Sequence, residues 1–318
     1  MGIFGHLFAH DQNDTPELLP AIDRAVVGVE PLLKQTHSYP EAFRKPVITA
    51  LEYTHKLAFS MPGPVAVDLD SYARDAYVHA IFPSMELVPE AIRSSRAMQD
   101  YLREHPATDE VYALMGMRRR EKSLMGMELS GDVIQRDVPQ HVVYFTSHTI
   151  ENPAPSEEQA REQVAWSLFD RLVNKVAKRI ALRKQKMQAK VQEKDLLMAR
   201  IHAANEQARP ALEAELSGRL SELQTITRTL ELHRYTHDFE AVLLNPEQHL
   251  RLNPTPMLLD SMGIRRNNEG SAQGTSIIFN DLIGFDRRDW TVTLVHCRAI
   301  QSETFATQLE TAYRKLCV

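Results

Sequence analysis

Between Ser156 and Gln207 the chain contains neither proline nor glycine. A run of that length can satisfy its own backbone hydrogen bonds as one long helix. At 1.5 Å per residue, roughly 50 residues would reach about 75 Å, several times the span of an average globular helix. Ser156 followed by Glu157, Glu158 and Gln159 reads as the start, a capping hydroxyl with acids at the positive end of the helix dipole. Pro210 cannot sit inside a helix without cost, so the spacing predicts a turn around Ala204 to Arg209. Leu212, Leu216, Leu220, Leu223, Ile226 and Leu230 then recur three and four apart, the seam of a coiled coil. The first arm offers Phe169, Val173, Val176, Ile180, Met187, Val191, Met198 and Ile201. Its seam is less regular, with Arg183 and Lys194 near positions where apolar residues are expected. The first arm is also longer than the second, so part of its apolar surface must find a partner elsewhere.

Charge is segregated along the first arm. Arg171, Lys175, Lys178, Arg179, Arg183, Lys186 and Lys190 share one helical face beside the apolar stripe, with Lys184 off it. Two readings follow. In one, acids of the returning arm, such as Glu213 and Glu222, neutralise the stripe across the seam. In the other, the stripe stays available to a phosphate backbone or an acidic protein surface. No aromatic residue lies between Arg171 and Lys190, so any nucleic-acid contact there would be independent of base stacking.

Around the hairpin the pattern is mixed. Helices are expected over Thr15 to Val29, Pro46 to Phe59, Ser71 to Ile81, Pro89 to His105 and Thr108 to Leu129. In the last of these, Leu114-Met115-Gly116-Met117 recurs as Leu124-Met125-Gly126-Met127 around the basic run Arg118 to Lys122. That arrangement reads as core-filling methionines with a solvated charged face. Val133 to Ile150 is rich in β-branched and aromatic residues and reads as strand. After the hairpin come a short strand over His249 to Leu252, a helical turn over Pro256 to Met262 and a polar loop over Asn267 to Gly274. Ser276 to Phe285 and Trp290 to Ala299 then form two strands joined at Asp286 to Asp289. An amphipathic helix from Ser302 carries Phe305, Leu309, Ala312 and Leu316 on one face. The expected fold is α+β, mainly helical, with a small antiparallel sheet and a long inserted antiparallel coiled-coil hairpin. Its segments are a helical region over 1–131, strand over 132–155, the hairpin over 156–235, and the remaining strands and last helix over 236–318.

Composition narrows function by exclusion. Net charge is −5, so any attraction to nucleic acid or anionic lipid must be local. Two cysteines, Cys297 and Cys317, form no metal-binding ladder and fit a reducing cytoplasm. No apolar run approaches the ~20 residues a bilayer crossing needs. Ile3, Phe4, Leu7 and Phe8 could form a short interfacial foot, but membrane contact is not expected from so short a segment. No dinucleotide fingerprint, phosphate loop or nucleophile elbow is present, and no cofactor is called for. His233 and His237 stand four apart and would share a helical face, with Asp238 or His249 able to complete a metal site. Arg234 stands where a zinc protease would carry its glutamate base. His141, His148 and His296 fall on expected strands, with Cys297 on the opposite face from His296. The reading placed first is a non-enzymatic interaction or assembly protein, its hairpin binding a protein partner or a second copy. Nucleic-acid binding by the basic face, and a metal-dependent enzyme at the hairpin base, are the alternatives.

Overall fold

The computed structural model describes residues 18–130, 133–266, 274–284 and 290–298. The expected N-terminal foot, the Thr15 helix start, the Asn267 loop, the Asp286 turn and the last helix lie outside them, as does Cys317. The described chain is α+β with a curled antiparallel sheet and a long helical hairpin. It divides into two compact units, one built from 1–54 and 166–249, the other from 55–165 and 250–318.

In the first unit, α1 (Leu18–Val29) buries Leu18, Ala21, Ile22, Ala25, Val26 and Val29 on one face. The unit also holds most of α2 (Glu41–Phe59), which contains Pro46, and most of α7 (Glu157–Ala203), 47 residues long. Beyond these are α8 (Arg209–Thr229) and α9 (Leu232–Leu243). Phe169, Leu172, Val173, Val176 and Ile180 of α7 are all buried. A methyl-sized atom added at Gly28 of α1 would stand 2.8 Å from Val173, which shows how closely those two helices approach. Phe43 of α2 meets Phe239 of α9 edge to face, ring centres 5.0 Å apart. The surplus apolar surface of the first arm is therefore covered by this bundle.

The second unit is a sheet of β1 (Val65–Val67), β2 (Glu110–Ser130), β3 (Val133–Ala154), β4 (Arg251–Leu259), β5 (Thr275–Ile283) and β6 (Trp290–Arg298), in the order β3-β2-β6-β5-β4 with β1 pairing parallel to β6. Four short helices pack on its concave face: α3 (Leu69–Arg74), α4 (Ala76–Ile81), α5 (Leu87–Ser94) and α6 (Arg96–Glu104). The long stretches expected as two helices are thus four, broken at Asp75 and Ser95. Each of these residues is extended and caps the helix that follows, Asp75 accepting from Tyr77 N and Val78 N and Ser95 from Met98 N.

The largest correction concerns Thr108 to Leu129. It is not a helix but the strand β2 (Glu110–Ser130), paired antiparallel with β3 (Val133–Ala154). Arg, Met, Leu, Glu and Lys are good helix formers, and local propensity misleads here. Pairing to β3 on one edge and to β6 (Trp290–Arg298) on the other overrides it, and burial of Val111, Ala113, Met115 and Met117 follows the period of two. The expected helical turn at Pro256 is likewise strand, within β4 (Arg251–Leu259). This strand ends the hydrogen-bonded order, where proline is tolerated. Pro254 and Pro256 share parity with Leu258, whose carbonyl accepts from Arg266 N rather than from β5 (Thr275–Ile283). Their missing N–H groups thus fall on the side away from β5.

β5 and β6 form as expected but pair only at Asp281–Thr291 and Leu282–Trp290. Farther along, the same edge of β6 is taken by β1. The curl is closed by the segment after β4, where Arg265 bridges Leu259 and Ile264 bridges Val142 of β3. Inside it, Phe145 and Phe279 pack with centroids 4.9 Å apart among the buried side chains of α3 to α6.

The helical hairpin as candidate functional site

Ser156 Oγ accepts from Gln159 N at 3.3 Å, so α7 begins where the capping pattern placed it. The turn after Ala203 is tied by Asn205, whose side-chain oxygen accepts from Ala208 N at 3.0 Å. Pro210 then falls in the first turn of α8, where a missing N–H is harmless. The arms run antiparallel. Lys190 reaches Glu222 at 3.4 Å, Glu193 reaches Arg219 at 3.2 Å, and Thr227 donates to the Met187 sulfur at 3.8 Å. Leu197, Ile201 and Leu223 are buried along the seam, while Met187, Val191, Leu212, Leu216 and Ile226 are half-buried. Lys194, set near that seam, is half-buried and pairs with Asp195 at 2.9 Å.

Counter-charge meets part of the basic stripe from two directions. Arg183 forms a two-pronged ion pair with Asp238 of α9, Nη2 to Oδ1 at 2.9 Å, and Asp238 is only 7% exposed. The apparent flaw in the apolar seam at Arg183 is thus a docking contact between α7 and α9. Lys184 pairs with Glu30 at the end of α1, and that contact raises its pKa. Lys190 is held by Glu193 and Glu222. Lys175 Nζ lies 3.0 Å from His249 Nδ1, which places an ammonium donor against a neutral imidazole. Burial, then Lys175 and Arg179, push the His249 pKa below its ordinary value. Arg179 is half-buried, and Arg171, Lys178 and Lys186 are exposed. Of the stripe residues, Lys190 is answered by the acidic returning arm, through Glu222. Glu30 and Asp238, which supply counter-charge nearer the bundle, carry no sequence signal, because they lie far from α7 in the chain or behind a turn.

His233 and His237 share a face of α9, both exposed. His233 Nδ1 sits 3.3 Å from Glu231, Asp238 is engaged by Arg183, and His249 faces Lys175. Among the described residues no group of three or more His, Cys, Asp or Glu side chains converges on one point. The strand histidines have separate partners. His141 meets Ser123 at 3.1 Å, His148 bonds Ile81 O at 2.8 Å and stacks on Phe82, and His296 lies 3.1 Å from Glu110 against the Tyr112 ring. Cys297 points into the core, where burial, with a smaller push from Asp68, sends its thiol up to about 12, far from a reactive thiolate. A cleft of about 310 Å³ opens beside α4, lined by Arg74, His79, Ser261 and Thr275. Both of its carboxylates are occupied. Asp75 caps α4, and Asp260 holds Arg266 at 2.8 Å together with two backbone amides.

No helix among the described residues is long and apolar enough to cross a membrane. Comparison with known protein families, with curated proteins and with solved structures finds no match for this chain.

Proposed function

We propose that this is an assembly protein whose hairpin is a coiled coil that joins a second copy of the chain through its outer face. One observation carries the reading. Leu182 and Leu196 on α7 are 53% and 67% exposed, and they lie two heptads apart with Ala189 between them. They therefore form a short apolar stripe on the face of α7 opposite the seam with α8. Leu220 of α8, 48% exposed, adds to the uncovered surface. Single exposed leucines need no explanation, but a heptad-spaced pair on a long hairpin is the surface that helix association uses. The seam itself is narrow and its flanking ion pairs are exposed, so they would set pairing and orientation more than strength.

Sedimentation of the full chain over a wide concentration range tests the reading. A reversible dimer is expected, lost in Leu182→Gln/Leu196→Gln with helicity unchanged. Replacing 186–226 by a short turn should have the same effect while leaving the buried part of α7 in place. A wild-type chain that stays monomeric at every concentration would refute the proposal.

A further inference from the structure

The basic run Arg118 to Lys122 acquires a meaning on a strand that it lacks on a helix. With a period of two, Gly116, Arg118, Arg120 and Lys122 share one face of β2, while Met115, Met117 and Arg119 share the other. The contacts agree. Met115 and Met117 are buried in the core, and Arg119 reaches Asp281 on the concave side at 2.9 Å. A methyl-sized atom at Gly116 would instead meet Thr149 and the Trp290 ring. The Arg118 guanidinium lies over that same ring, 5.1 Å from its centre, and its Nε is buried with no hydrogen-bond partner among the described residues. Arg120 and Lys122 are exposed and enter no ion pair among the described residues. Tyr144, opposite Arg120 on β3, is 37% exposed. Glu121, the one acid in the run, falls on the concave side, 3.8 Å from Arg119. The convex face thus carries three cations at intervals of about 7 Å, an exposed phenol ring, an indole held beneath a guanidinium, and, among the described residues, no carboxylate over that stretch.

We propose that this face of β2 and β3 binds single-stranded nucleic acid without reading its sequence. Unstacked bases would lie on Tyr144 while Arg118, Arg120 and Lys122 take successive phosphates, the combination that open β-surfaces use for single strands. A duplex offers no free base plane to the ring, and an acidic peptide such as polyglutamate carries no aromatic plane to stack on it. The hairpin stripe has cations but no aromatic residue among them, so it lacks half of this chemistry. The site is independent of self-association through the hairpin.

Fluorescence anisotropy of the full chain with labelled oligouridylate and oligothymidylate, each about a dozen nucleotides, tests it. Three neutralised phosphates predict that log K falls with log salt at a slope of about −2. Arg120→Gln/Lys122→Gln should weaken binding and bring the slope to about −0.7. Tyr144→Ala should weaken it about 5- to 100-fold with the slope unchanged, and Tyr144→Phe should retain it. Lys178→Gln/Lys186→Gln on the hairpin should change neither quantity. Absence of binding at low salt would overturn the proposal, as would equal affinity for duplex or equal loss in Tyr144→Ala and Tyr144→Phe. Polyglutamate held as tightly as oligouridylate would reassign the face to an acidic protein and overturn it too.

Discussion

Replacing Arg161 tests how the second unit is held together. This residue lies in the first turns of α7 and is 6% exposed. Its guanidinium donates to Ala58 O at 2.9 Å, Met61 O at 3.0 Å and Gly63 O at 3.0 Å, with a longer contact to Phe59 O at 3.4 Å. Its Nε bonds Glu157 at 2.8 Å. The carbonyls are those of the last residues of α2 and the loop that follows, where a helix leaves its acceptors unpaired and its dipole favours a cation. That loop in turn lies on β6. Leu294 N donates to Pro62 O at 2.8 Å, and a methyl-sized atom at Gly63 would stand 2.2 Å from Leu294 O. Arg161→Met preserves much of the volume and removes every donor. Ala58 O keeps Met61 N as a donor, so two orphaned carbonyls, Met61 O and Gly63 O, at about 1–3 kcal/mol each, set against the released guanidinium desolvation, give an expected loss of about 3–5 kcal/mol. For a unit of this size that is a fall in Tm of about 6–20 °C. Arg161→Lys keeps the charge but not the fork and should recover less than half. Urea titration and thermal melts followed by circular dichroism measure the loss, and hydrogen exchange of amides 57–63 localises it. A loss under about 1 kcal/mol in Arg161→Met, or full rescue by lysine, would refute this account of the cradle.

Two further predictions follow from single sites. Gly218 lies inside α8 with nothing within 4 Å of the position a Cβ would take, so Gly218→Ala should stabilise the hairpin by about 0.5–1 kcal/mol, read as a higher melting temperature. A lower melting temperature would mean that this face is covered. His148 and His249 both have pKa values held below the ordinary 6.5, chiefly by burial, and in His249 also by Lys175 and Arg179. The folded state then keeps them neutral while the unfolded chain protonates, so stability is intact above pH 6.5 and falls as pH drops through the folded pKa values. Thermal melts between about pH 7.5 and 5.5 should show that decline, shallower in His148→Gln/His249→Gln, and an unchanged slope in the variant would refute the assignment.

Much of the helical hairpin and several strands were legible in the sequence because their signals are local. The capping Ser156, the proline-free run, the turn before Pro210 and the β-branched stretch at Val142 to Thr146 each act within a few residues of where they are read. The strand β2 was not legible. Its residues favour helix taken alone, and only pairing with β3 and β6 makes it a strand. Tertiary pairing also decided which side chains share a face: a period of 3.6 scatters Arg118, Arg120 and Lys122, whereas a period of two gathers them beside Tyr144. The same holds for charge. The sequence by itself determined that a long basic-faced helix exists, and the tertiary structure decided that Asp238 and Glu30 answer Arg183 and Lys184. Local backbone preference extends over one helical turn, but burial, counter-charge and strand pairing are set by residues that chain distance does not bring together.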